Sequence, residues 1–134
     1  MGLSVLLCDD EVHILRAAEF KFTKAGYDVR CAGDGEEAWE LIQQRKPDLV
    51  ITDCQMPRLD GLGLAQRIHK DANTTDIPVL MLTGKGFEIP RTDKWREHGI
   101  VQVLPKPFSP RELIVKAQQI LEATGKYADD AVSV

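Results

Sequence analysis

The chain has 134 residues, of which 43% are hydrophobic, enough for one domain with its own core and too apolar for a disordered chain. With 17 basic and 21 acidic side chains the net charge is −4. That argues against a general nucleic-acid binder, and neither a helix-turn-helix nor a zinc-ligand spacing occurs. The cysteines Cys8, Cys31 and Cys54 form no C-x-x-C pair, so neither a disulfide framework nor a zinc knuckle is indicated.

The first apolar run, Val5-Leu6-Leu7-Cys8, predicts a strand over residues 4–8. It meets Asp9-Asp10-Glu11 at once, which no signal peptide does. No stretch is long enough to span a membrane. A myristoylation pattern opened by Met1-Gly2 fails at Leu6, where Ser or Thr is needed. Reduced thiols and these exclusions predict a cytoplasmic protein. A helix follows from about Glu11, with Ile14, Leu15, Ala18 and Phe22 at helical spacing and Gly26 as its stop. Residues 27–32 alternate and predict a second strand, in which Cys31, like Cys8 in the first, serves as a small apolar residue.

Asp34 and Glu37 have the spacing of a capping box. The helix they open turns Ala38, Leu41 and Ile42 inward and ends at Pro47. Leu49 to Asp53 predicts a third, buried strand that ends in a carboxylate. The loop Met56-Pro57-Arg58-Leu59-Asp60-Gly61 leads into a helix with Leu64, Ala65 and Ile68 on one face. Pro78 starts a fourth strand, which ends at Thr83. Between Glu88 and His98 a helix is compatible only from Pro90 onward. Gly99 closes that segment, and a fifth strand runs from Ile100 to about Leu104. Ser109 as N-cap, Pro110 at N1 and Glu112 at N3 open the last helix. It buries Leu113, Ala117, Ile120 and Leu121 and ends near Gly125, ahead of a frayed tail. Strands alternating with helices predict an α/β fold with a parallel sheet covered on both faces.

In such sheets ligands bind beyond the carboxyl ends of the strands. Asp9 and Asp10, Asp53, Thr83 and Lys106 all follow or close apolar runs. Taken singly, a carboxylate there is usually a helix cap, a threonine a turn residue and a lysine a solvated charge. Their convergence on one sheet edge defines a site. Two carboxylates about 4 Å apart repel by roughly 4 kcal/mol at an effective dielectric of 20, so the three aspartates call for a cation. Oxygen ligands without His or Cys point to Mg²⁺. A carboxylate held beside Mg²⁺ and a lysine, with a hydroxyl donor at hand, has the makings of a phosphoryl-accepting nucleophile.

The segments Leu7-Cys8-Asp9-Asp10-Glu11, Thr52-Asp53-Cys54-Gln55-Met56-Pro57 with Asp60-Gly61, Leu82-Thr83-Gly84 and Lys106-Pro107-Phe108 together resemble the receiver domain of two-component response regulators. The resemblance runs from about Ser4 to Thr124. It implies a flavodoxin-like, doubly wound fold with strand order 2-1-3-4-5. It implies Asp53 as acceptor of phosphate from a histidine kinase or a histidine phosphotransfer protein, and a downstream protein as the recipient of the signal. It further implies Mg²⁺ on Asp10, Asp53 and the backbone carbonyl of Gln55, with Asp9 acting through water. Lys106 and Thr83 would contact the phosphoryl group, and the Lys106-Pro107 bond matches one that is often cis in the family. The expected organisation is a receiver over residues 1–124, a short tail over 125–134 and no output domain.

The sequence departs from the family pattern at Val103, where an aromatic residue is usual. That shifts the expected moving part to the loop Gly84-Lys85-Gly86-Phe87, whose glycines permit large backbone changes. Gln55 and Lys85 stand at positions that resemble the family's tuners of phosphate lifetime; the other reading is that both simply face solvent. His13, His69 and His98 are assigned no chemistry, and Trp39 and Trp95 are read as packing residues. Two other readings compete. A pseudo-receiver would bind partners without taking phosphate, which the intact Asp10, Asp53, Thr83 and Lys106 set opposes. A Mg²⁺-dependent hydrolase with an aspartyl-phosphate intermediate would usually carry a second Asp where Gln55 stands.

Overall fold

A computed structural model describes residues 2–84 and 98–126. The segment from Lys85 through Pro90 and Trp95 to Glu97, and the tail from Tyr127, lie outside the described residues, and with them the expectations for Lys85, Phe87 and the helix after Pro90.

The strands β1 (Ser4–Cys8), β2 (Asp28–Ala32), β3 (Leu49–Asp53), β4 (Val79–Thr83) and β5 (Ile100–Pro105) form one parallel sheet in the order β2-β1-β3-β4-β5. This is the doubly wound, flavodoxin-like arrangement that the resemblance implies. Helices α1 (Val12–Lys24) and α4 (Pro110–Ala123) cover one face, and α2 (Gly35–Gln44) and α3 (Gly61–Lys70) the other.

The two-residue period of a strand sorts the core into halves. Val5, Leu7, Leu49, Ile51, Leu80 and Leu82 pack with Leu15, Ala18 and Phe22 of α1 and Leu113 and Ala117 of α4. Their neighbours Leu6, Cys8, Val50, Val79 and Met81 pack with Ala38 and Ile42 of α2 and Leu64, Ala65 and Ile68 of α3. All residues of β3 and β4 are buried, as the centre of a parallel sheet requires. Val103 is half-buried against the second cluster, and so is Trp39, whose ring carries the Arg67 guanidinium 5.9 Å from its centroid. Ile14 and Leu41 are half-buried rather than buried.

The caps follow the residue types. Asp34 accepts from the Glu37 N–H at 2.8 Å, and the Glu37 side chain reaches back to the Gly33 N–H rather than to the cap itself. Ser109 accepts from the Glu112 N–H at 3.1 Å with proline in the first turn. The far end of α2 is closed by the edge strand. Arg30 of β2 donates to the carbonyls of Leu41 at 2.7 Å and Arg45 at 2.6 Å, so a cation sits where the helix dipole is negative.

Candidate functional site

The order β2-β1-β3 places a topological switch point between β1 and β3, where the chain winds off to opposite sides. Asp9 and Asp10 leave β1 there, and Asp53 is the last residue of β3. One carboxylate oxygen from each of the three lies within 4.8 Å of the others. Asp9 and Asp53 are buried, at 3% and 5% exposure, and Asp10 is exposed. The Glu11 N–H donates to Asp9 Oδ1 at 2.9 Å and fixes that carboxylate at the start of α1.

Lys106 arrives from the other edge of the sheet. Its N–H donates to the Thr83 carbonyl at 2.8 Å, and the Lys106-Pro107 bond is cis. The ammonium lies 2.9 Å from Glu11 Oε1, 3.0 Å from Asp9 Oδ2 and 3.5 Å from Asp53 Oδ2. Thr83 is buried at the end of β4, paired in register with Pro105. Its hydroxyl makes no side-chain hydrogen bond with a described residue. Gln55 stands exposed on the loop after β3, and His13 is exposed near the start of α1.

Charge is unevenly shared here. Burial, and then the Asp9 carboxylate, push the Asp53 carboxyl above the usual range, while Lys106 pulls it down. Burial also raises Asp9, against the hydrogen bonds from the Glu11 N–H and Lys106. For Lys106 burial acts downward, but its bonds to Glu11 and Asp9 outweigh it and the ammonium is held charged well past its ordinary value. One ammonium is saturated while the carboxylates around it remain short of positive charge. An all-oxygen set with excess negative charge fits a hard divalent cation.

Gly61 holds the loop beneath the site. Its N–H donates to the Cys54 carbonyl at 2.9 Å. A Cβ on residue 61 would stand 2.2 Å from the Asp53 carbonyl oxygen and 2.9 Å from Met81 Sδ, so no other residue lets α3 start against the end of β3. Cys54 is buried beside Asp53, and burial pushes its thiol up to about 12, which leaves it inert at neutral pH.

The structure thus brings together Asp9, Asp10, Asp53 and Lys106 and places Thr83 at the same sheet edge. It adds Glu11 to the lysine's partners. Sequence reading takes Glu11 as the beginning of a helix, and its place directly after two aspartates was the available signal.

A profile of the response regulator receiver domain matches residues 5–118, and the chain belongs to that family. It is 43% identical over 124 residues to a probable transcriptional regulator of Guillardia theta, covering 92% of this chain and 47% of that one. It is 38% identical over 125 residues to the phosphate regulon transcriptional regulatory protein of Pseudomonas aeruginosa, covering 93% and 54%. The chain therefore spans about half the length of the curated relatives it matches. Among solved structures, a putative response regulator from Chloroflexus aurantiacus superposes with a TM-score of 0.82 at 35% identity, covering 91% of this chain and 99% of that one. A chemotaxis response regulator of Vibrio cholerae does so with a TM-score of 0.82 at 28% identity, covering 90% and 100%. Among the described residues no helix is long and apolar enough to cross a membrane.

Proposed function

We propose that this chain is a phosphoacceptor signalling module of a two-component or phosphorelay system. In this reading Asp53 takes a phosphoryl group from a phosphohistidine on a sensor kinase or phosphotransfer protein. The resulting change of shape is read by a downstream protein. The observation that carries the reading is the burial of Asp53 at a switch point with two further carboxylates and a charged lysine within reach.

The Asp53 carboxylate is the nucleophile. An oxygen–phosphorus bond forms as the phosphorus–nitrogen bond of the donor breaks in line with it, and the donor imidazole leaves with the electron pair. Lys106 supplies positive charge to the phosphoryl oxygens as charge spreads over them. The Thr83 hydroxyl, free of side-chain partners among the described residues, would donate to the same group. Asp10, Asp53 and the Gln55 carbonyl would hold Mg²⁺, with Asp9 acting through water. Bound there, Mg²⁺ supplies the charge compensation that the carboxylates lack. Residues 1–124 make up the receiver.

The test is covalent. Incubation with Mg²⁺ and acetyl phosphate should add one labile phosphate by intact mass spectrometry, absent in Asp53→Asn. Equal labelling of that variant would remove Asp53 from its role. A parent protein that no small donor and no phosphohistidine protein can label would be a pseudo-receiver instead.

A further inference from the structure

Lys106 has an anion on it that lies outside the aspartate cluster. Glu11 Oε1 is 2.9 Å from the ammonium, at least as close as Asp9 at 3.0 Å and closer than Asp53 at 3.5 Å. An ammonium offers three N–H donors; Glu11 and Asp9 take two of them in hydrogen bonds, and Asp53 is an ion-pair partner at 3.5 Å. A phosphoryl group on Asp53 needs at least one of these donors.

The three partners differ in freedom. Asp9 and Asp53 are buried at the ends of strands. Glu11 is the N-cap position of α1, but its side chain makes no capping hydrogen bond and is 58% exposed. Beside it lies a cavity of about 490 Å³ whose lining includes Glu11, His13, Ile14, Lys106, Phe108 and Pro110. The carboxylate has somewhere to go, and its backbone stays in place through the N–H bond to Asp9.

We infer that Glu11 is a competing counter-ion for Lys106. It occupies the ammonium while Asp53 is unphosphorylated and yields it to the incoming phosphoryl group. Glu11 therefore acts through Lys106 as a positioning residue that sets how readily the acceptor is charged. Its own negative charge also opposes a phosphoryl dianion at short range, so both effects have one sign. The inference rests on the reading of Asp53 as phosphoacceptor. Because Glu11 is exposed, the pair is worth only what a half-solvated ion pair is worth, a factor of roughly 2 to 5 in affinity, and salt should erode it.

The experiment compares the parent with Glu11→Gln and, as a second uncharged variant whose hydroxyl can cap α1, Glu11→Ser. Melting curves first establish that each is folded. Calorimetry then measures beryllofluoride binding at saturating Mg²⁺, and Mg²⁺ binding alone. The expected result is beryllofluoride affinity roughly 2- to 5-fold higher in the variants at low salt, with the gap closing at high salt. Mg²⁺ alone should bind no tighter, since an anion has been removed. A merely structural role for Glu11 would weaken both ligands together. Unchanged or weaker beryllofluoride binding in a folded variant overturns the inference. A parent protein that binds no beryllofluoride overturns the phosphoacceptor reading itself, and this inference with it.

Discussion

Asp53→Asn in the metal-free protein isolates the electrostatic cost of the site. Lys106 at 3.5 Å attracts the Asp53 carboxylate by about 5 kcal/mol at an effective dielectric of 20. Asp9 is buried with an oxygen within 4.8 Å, and repels it by about 3.5 kcal/mol on the same scale. Asp10 is exposed, and water reduces its share to about 1 kcal/mol. These pairwise terms nearly cancel. What remains is the desolvation of a buried carboxylate, several kcal/mol even after relaxation. An amide fills the same volume and costs less to bury. The variant should be more stable than the parent by about 1–3 kcal/mol at pH 7.5, and melt roughly 3–10 °C higher for a chain of this size.

The sign with pH follows from the raised Asp53 carboxyl. The folded protein keeps this proton to higher pH than the unfolded chain does. The cost is therefore absent below the unfolded carboxylate pKa and grows as pH rises through the raised folded value. The stability gap between variant and parent should open across that window and stay flat above it. Urea and thermal melts followed by circular dichroism from pH 4 to 8, in chelator, measure the gap. Mg²⁺ should narrow it by stabilising the parent more. An Asp53→Asn protein that melts below the parent at pH 7.5 in chelator would mean that the Lys106 attraction exceeds the cost of burial, and the account of a charge-starved site would be wrong.

Asp10→Asn should stabilise the metal-free protein by about 1 kcal/mol, the repulsion it relieves, yet lose more of the Mg²⁺-induced rise in melting temperature than Asp9→Asn; the reverse order would exchange their roles. Asp9→Asn should also stabilise the metal-free protein, because burial holds the Asp9 carboxyl above its usual range and an amide oxygen can still accept from the Glu11 N–H and Lys106, and chelator melts check this. Gly61→Ala puts a methyl 2.2 Å from the Asp53 carbonyl oxygen. It should cost about 1–3 kcal/mol in urea melts and slow acetyl phosphate labelling, whereas parent-like labelling would mean the loop yields without disturbing Asp53. Arg30→Ala removes both charged bonds that close α2 and should cost about 1–2 kcal/mol without changing the labelling rate, which separates a fold residue from a site residue.

Local patterns in the sequence were enough for the elements and for the site's raw material. Apolar runs of strand length ended in Asp9, Asp53 and Thr83, and the capping chemistry of Asp34 and Ser109 marked helix starts that the structure reproduces. These features depend on neighbours a few residues away, so chain order displays them. Strand order entered through resemblance to a family, because apolar periodicity does not say which strand lies beside which. Three arrangements needed the folded chain. Glu11 and Lys106 meet across 95 positions of sequence. Gly61 is small because of an Asp53 carbonyl that only the packing of α3 brings close. Arg30 sits on an edge strand yet closes the far end of α2. A side chain's chemical type is written in the sequence. Which charges share one ammonium is set by the sheet that brings β1, β3 and β5 to a common edge, and that sharing decides how much negative charge Asp53 must carry before any phosphate arrives.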